Sequence, residues 1–282
     1  MIIYLGILCL VISEELSAQT TPTSNLLAPR TYCGYQHTDD YPRTNNSTSI
    51  DEFPWSVQLL YSNDKEIRCS GSLISRRYVL TAAQCLNDLI GVQLGDYNVT
   101  SDKDCTKNQY GTECSDPVQY FEIEEKIEHP AYIKIKSAHD IALLRLAKDV
   151  MYSEYIRPIC LPTSPTEELS KGKQLFTTGW GELGEELNQT EIKKKVETTL
   201  LPWEKCDGMP VELSIKESFL CLKEKHALTC HGDGGAPLMS SNRNQWEQVG
   251  ILVYKTTCGA KKPAIYVKVS HYIMWIIYSL RP

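Results

Sequence analysis

Three short stretches carry the residues whose types could do chemistry. Cys230-His231-Gly232-Asp233-Gly234-Gly235-Ala236-Pro237-Leu238 sets one carboxylate in a glycine-rich turn. Leu80-Thr81-Ala82-Ala83-Gln84-Cys85 offers a side-chain amide beside a cysteine. Asp140-Ile141-Ala142-Leu143-Leu144 places a carboxylate at the head of an apolar run. Acyl transfer needs an oxygen nucleophile and a base within hydrogen-bond reach to take its proton. Glycine has no side chain to attack with. A glutamine amide cannot accept and return a proton near neutral pH.

In their order and spacing along the chain the three stretches resemble the motifs of trypsin-like serine proteases, the S1-type family with the chymotrypsin fold. The family's nucleophile loop reads Cys-x-Gly-Asp-Ser-Gly-Gly-Pro-Leu, so Gly234 stands at the serine position and Ala236 replaces a glycine. Its base motif reads Leu-Thr-Ala-Ala-His-Cys, so Gln84 stands at the histidine position. Of the three catalytic side chains only Asp140 remains. Losing the nucleophile or the base of such a triad costs roughly 10⁶-fold in rate. The resemblance therefore implies a pseudoprotease with no functional catalytic residue. A residual active serine endopeptidase is the distant alternative.

The elements that must position these residues read as strands. Trp55-Ser56-Val57-Gln58-Leu59 alternates with period two. Cys69 to Ile74, Tyr78 to Thr81, Ile141 to Leu146 and Ile251 to Tyr254 are further short runs bounded by turns. Many short strands at regular spacing point to an all-β barrel or sandwich. The resemblance goes further and implies two six-stranded antiparallel β-barrels, at about residues 54–158 and 159–266. Val269, Tyr272, Ile273 and Ile276 have helical spacing and fit the family's C-terminal α-helix.

Met1 to Ile12 is almost wholly apolar, with no charge before Glu14. That is too short for a membrane span and suits the core of a signal peptide, cleaved after Ser13 or after Ala18. Residues 1–18 are thus read as a signal peptide, 19–43 as a short propeptide-like segment, and 44–282 as the protease-like domain. The 19–50 stretch is polar and rich in Thr, Asn, Ser and Pro, without a core of its own. It holds one cysteine, Cys33, too few for the clip domain that precedes this point in many arthropod relatives.

Arg43 is read either as an activating cleavage site or as a solvated charge. In active relatives an apolar N-terminus freed by that cleavage pairs with the aspartate equivalent to Asp233. Here Thr44-Asn45-Asn46-Ser47 follows Arg43, so the resemblance implies a lost activation switch and an Asp233 without its partner. Asn45 and Asn46 open overlapping glycosylation sequons, and Asn98 and Asn188 open two more, each occupied or not.

The chain has eleven cysteines, ten once Cys9 leaves with the signal. That density points to an oxidising compartment. The resemblance implies the pairs Cys33–Cys160, Cys69–Cys85, Cys206–Cys221 and Cys230–Cys258. It also implies a fifth, Cys105–Cys114, in a loop similar to that of arthropod clip-type proteases. In the former substrate pocket Leu228 takes the aspartate position of tryptic members. Val253-Tyr254-Lys255 replaces Ser-Trp-Gly, and Ala264 replaces another glycine. An apolar residue at 228 cannot pair with a substrate lysine or arginine. Lys255 places a long charged side chain where a glycine keeps the cleft open.

The remaining features are read more plainly. Lys193-Lys194-Lys195 is a solvated loop face or a docking patch. Asp96 lies at a position that some relatives use for calcium, without a clear set of further ligands, and no metal or other cofactor is expected. His129-Pro130 reads as a structural turn, and His139 cannot replace the lost base, because adjacent residues on an extended segment face opposite ways. The net charge of −6 gives no nucleic-acid footprint. The function implied is that of a secreted, extracellular protein that binds other proteins in a protease cascade. It would act as cofactor or decoy toward proteases, phenoloxidase or inhibitors, in arthropod immunity and melanisation or in venom. Adhesion to microbial surfaces is the alternative.

Overall fold

The computed structural model describes residues 26–40, 48–62, 68–108, 111–162, 169, 174–183, 188–189, 191–224, 233–255 and 263–282. Six strands close the first barrel: β1 (Ser56–Tyr61), β2 (Ser70–Leu73), β3 (Tyr78–Thr81), β4 (Leu89–Leu94), β7 (Gln119–Glu128) and β8 (Ala142–Leu146). Their order around it is β1-β2-β3-β8-β7-β4. The second barrel uses β9 (Leu175–Gly179), β12 (Lys194–Leu200), β13 (Phe219–Glu224), β14 (Pro237–Asn242), β15 (Gln245–Lys255) and β16 (Ala264–Lys268). These run in the order β12-β13-β16-β15-β14-β9. All pairs are antiparallel, and closure leaves no open edge. Two small hairpins lie outside the barrels: β5 (Cys105–Asn108) with β6 (Gly111–Cys114), and β10 (Glu182–Leu183) with β11 (Asn188–Gln189). The two-barrel architecture and the helix α1 (Val269–Ser279) are those expected from the sequence.

Helix α1 follows directly from its pattern. Val269, Tyr272 and Ile276 are buried, while Met274 and Tyr278 face outward. The interior is built where the barrels meet. Trp55, fully buried just before β1, donates its indole N–H to Met239 of β14 at 2.9 Å. Trp246 of β15 stands edge-on to Phe53, with ring centroids 5.4 Å apart. A buried aromatic contributes hydrophobic stabilisation of about 1.5–3 kcal/mol, so this cluster fixes how one barrel sits on the other. Ser72 Oγ of the first barrel also donates to Gln248 of the second inside this interface.

Among the described residues four disulfides are closed: Cys33–Cys160, Cys69–Cys85, Cys105–Cys114 and Cys206–Cys221. The fifth expected pair, Cys230–Cys258, lies outside the described residues. So do the apolar N-terminal stretch, Arg43, Asn45, Asn46 and Leu228. Cys33–Cys160 ties the N-terminal segment to both barrels. Beside it Gly34 donates its N–H to Pro158 at 2.9 Å and accepts from Trp246 N at 2.7 Å. Gly34 has φ +70°, and a side chain there would run into the Trp246 backbone, so the tether needs glycine.

Candidate functional site

Strand register brings the Gln84 and Asp140 motifs together. Thr81 of β3 pairs with Ala142 of β8, which sets the residues just after β3 beside those just before β8. A 3-10 turn, Ala83–Leu86, then presents Gln84 with its backbone N–H 2.9 Å from Asp140 Oδ1. Asp140 is almost fully buried. Burial pushes its carboxyl up to about 7, opposed by hydrogen bonds from the Gln84 and Ala83 backbone and aided by the charge of Glu128. The Gln84 side chain turns away from Asp140. Its Nε2 donates to the Val253 carbonyl at 2.6 Å. That carbonyl is available because β15 shifts register against β16 between Leu252 and Tyr254, at Val253.

The glycine-rich motif arrives from the second barrel. Pairing of Pro237 with Ile251 places residues 233–236 beside Leu252 and Val253. Gly235 N donates to Leu252 O at 2.8 Å, and Ser70 N donates across the barrel boundary to Gly234 O at 2.7 Å. Gly235 has φ +79°, and a Cβ there would collide with Ser70 O and Thr81 Oγ1, so this position tolerates only glycine. Ala236 needs no such freedom. It is fully buried, and its N–H reaches Asp233 O at 3.0 Å. Gly234 faces the Cys69–Cys85 disulfide, where a Cβ would lie 3.2 Å from Cys69 Sγ and 3.6 Å from Cys85 Sγ. Gln84, Asp140 and Gly234 are thus gathered at one place between the barrels, with an amide, a carboxyl and bare backbone.

Other site residues fall differently from their sequence readings. The Lys255 ammonium does not stand in the cleft. It turns inward to Glu224 Oε1 at 2.8 Å, and the two side chains are 9% and 3% exposed. Ala264 is buried between Lys255 of β15 and Leu222 of β13, while Tyr254 is half-buried. The lysine run 193–195 is neither a solvated face nor a docking patch. Lys193 is buried beside Glu52, Asp96, Asp51 and Asp104, and burial lowers its ammonium to about 8 despite those acids. Lys194 is buried against Asp233, with Nζ–Oδ2 2.7 Å, and Lys195 pairs with Glu52 at 2.9 Å. Asp233 therefore has a partner that the sequence reading did not give it. Strand parity held the signal: Lys194, Val196 and Thr198 lie on one buried face of β12.

His129 and His139 pack away from this constellation. His139 stacks on His129, with centroids 4.9 Å apart, and its Nδ1 lies 3.0 Å from the Tyr272 hydroxyl. Asp96 is buried and accepts from Gln93 Nε2 at 2.7 Å. Burial, and the charge of Asp104, push its carboxyl up to about 7. Among the described residues no three His, Cys, Asp or Glu side chains are grouped so as to hold a metal ion. Asn98 caps its own turn, its Oδ1 accepting from Thr100 N at 3.1 Å.

Two six-stranded barrels, with the three motif residues gathered at their junction, define the class of two-barrel serine-protease-like proteins. The family model described as Trypsin matches residues 43–276, and the chain belongs to the trypsin family. It is 36% identical over 264 residues to CLIP domain-containing serine protease B10 of Anopheles gambiae, covering 88% of this chain and 72% of that one. It is also 36% identical to Phenoloxidase-activating factor 1 of Holotrichia diomphalia, covering 89% of this chain and 73% of that one. The Grass clip serine protease of the Drosophila Toll pathway superposes with a TM-score of 0.77 at 29% identity, covering 91% of this chain and 77% of that one. Among the described residues no helix is long and apolar enough to cross a membrane.

Proposed function

We propose that this chain is a secreted, non-catalytic serine protease homologue that acts by binding protein partners in an extracellular protease cascade. The observation that carries this reading is that Gly234 and Gln84 stand at the junction of the barrels beside Asp140. Gly234 supplies no attacking oxygen, and the amide at Gln84 is engaged by the Val253 carbonyl and cannot relay a proton. The second barrel's carbonyl at Val253 is a group on which an extended peptide could pair. Gln84 already occupies it, so substrate-like docking of a peptide there must compete with the chain's own side chain. Relatives bearing the names Phenoloxidase-activating factor 1 and Melanization protease 1 support placement in a cascade of that kind. The apolar start at residues 1–18, the segment 19–43 and the protease-like domain 44–282 are assigned on the same reading, as are glycans on Asn45, Asn46, Asn98 and Asn188.

The test is chemical. Purified protein exposed to a fluorophosphonate probe and to peptide amides with Arg, Lys or aromatic residues is expected to show neither labelling nor turnover. Stoichiometric labelling of the domain defeats the reading. Crosslinking in native body fluid, read by mass spectrometry, then identifies the partner class. Proteases, phenoloxidase or inhibitors are the expected captures, and cell-wall polymer alone points to adhesion instead.

A further inference from the structure

Asp233 is fully buried at the start of the 233–236 loop, where an isolated carboxylate is strongly disfavoured. Its cation comes from within the second barrel. Lys194 Nζ donates to Asp233 Oδ2 at 2.7 Å and to the Gly181 carbonyl at 2.7 Å, while Gly181 N donates to Asp233 Oδ1 at 3.0 Å. Carboxylate, ammonium and the backbone of one residue, Gly181, thus close a ring. Register builds it. Lys194 of β12 sits directly opposite Gly179 of β9, and a side chain at Gly179 would collide with Asp233 Oδ1. The lysine and aspartate side chains are 7% and 0% exposed, so the ring is dry and its charge-assisted bonds are strong. From this ring the loop reaches both barrels, through Ser70 N to Gly234 O and Gly235 N to Leu252 O.

We propose that Lys194 is the positioning residue that fixes the 233–236 loop by an ion pair within one uncut chain. The face around this loop is then presented without cleavage at Arg43 and does not change when that bond is cut. Lys194 belongs to a barrel strand, so its ammonium arrives when the barrel closes. A chain end can supply an ammonium only after proteolysis, and it would have to displace the lysine from two acceptors in a dry site.

The experiment is hydrogen exchange by mass spectrometry on the secreted full chain, comparing peptides over 177–183 and 233–238 with peptides from the first barrel. Lys194→Met is expected to speed exchange at least about tenfold in the first set alone. Lys194→Arg is expected to keep much of the protection. Lys194→Ala is expected to regain it with added n-propylammonium but not with n-propanol, a charge requirement that a space-filling role would not show. Wild-type protein cut at a cleavable site inserted after Arg43 is expected to keep its rates within about twofold. Wild-type exchange in Lys194→Met, equal rescue by n-propanol, or loop rates that change on cutting would each overturn the proposal. If Lys194→Met does not fold, the pair Lys194→Met with Asp233→Asn leaves no charge in the ring and carries the same comparison: fast loop exchange supports the proposal and wild-type exchange overturns it. No catalysis is read here, so the outcome is independent of probe labelling.

Discussion

At the scale of single residues, the site separates two kinds of change. On the proposed reading, Gly234 and Gln84 remove chemistry and leave the scaffold intact. A Cβ at 234 asks for only a small give from Cys69 Sγ, and Asp140 still lies against the Gln84 backbone. The double variant Gln84→His with Gly234→Ser is therefore expected to fold and to be labelled by a fluorophosphonate probe at a measurable rate. Turnover of Arg and Lys substrates is expected to remain at least about 10²-fold below that of an ordinary family member, because Leu228 offers no charge to a basic side chain. Adding Lys194→Met to the double variant is expected to abolish labelling, since the loop bearing the new serine then loses its anchor. Labelling that survives this third change would show that the loop is held by other contacts.

Among the elements, α1 depends on histidines that the cleft does not use. His129 stacks on His139 and meets Tyr272 edge-on at 5.3 Å and Trp275 at 5.0 Å. Burial, then the neighbouring His139 and His271, lower the His129 imidazole to about 4, against about 6.5 in an unfolded chain. Between those values the unfolded chain binds more protons, so stability rises with pH there. The contribution is whole above pH 6.5 and is lost as pH falls toward 4. Asp96 and Asp140, raised to about 7, act in the opposite sense over this range, so the test is a difference: the thermal midpoint of wild type relative to His129→Gln is expected to fall between pH 7 and pH 4.5. A difference that stays constant over this range would mean that other groups carry the pH dependence. Elsewhere the β5–β6 hairpin hangs from Asp104, whose carboxylate accepts from the backbone of Tyr97 and Asn98 at 3.0 Å each. This explains how an added loop closed by Cys105–Cys114 is joined to the first barrel without altering its closure.

For the molecule as a whole, the junction between the barrels matters most, and the N-terminal segment is part of it. Cys33–Cys160 closes a loop of 127 residues, and the Gly34 backbone bonds to both Pro158 and Trp246. A bridge over so long a loop is worth roughly 3–5 kcal/mol in the chain-entropy picture. Replacing both cysteines with serine is expected to lower the thermal midpoint by several degrees or more, read by calorimetry, while both barrels still form. A midpoint unchanged within error would show that the backbone bonds alone hold the segment. The same tether keeps the 26–40 segment on the body of the protein whether or not the chain is cut at Arg43.

The sequence by itself determined the family, the two-barrel class, the position of the C-terminal helix and the identity of each residue at the motif positions. Alternation gave strands of an all-β barrel or sandwich, helical spacing at Val269, Tyr272 and Ile276 gave the helix, and the family resemblance of the short motifs implied the two barrels. Only the tertiary structure decided where the long polar side chains end. Lys194 finds Asp233 across 39 positions, Lys255 finds Glu224 across 31, and Gln84 finds the Val253 carbonyl across 169. Strand parity tells which face such a side chain leaves from, as Val196 does for Lys194. It does not tell what lies opposite, because the partner is set by barrel closure and register. A run of three lysines read alone is a solvated surface. In the closed barrel burial makes an ion without a counter-ion too costly, and that cost directs each ammonium to the acid within its reach.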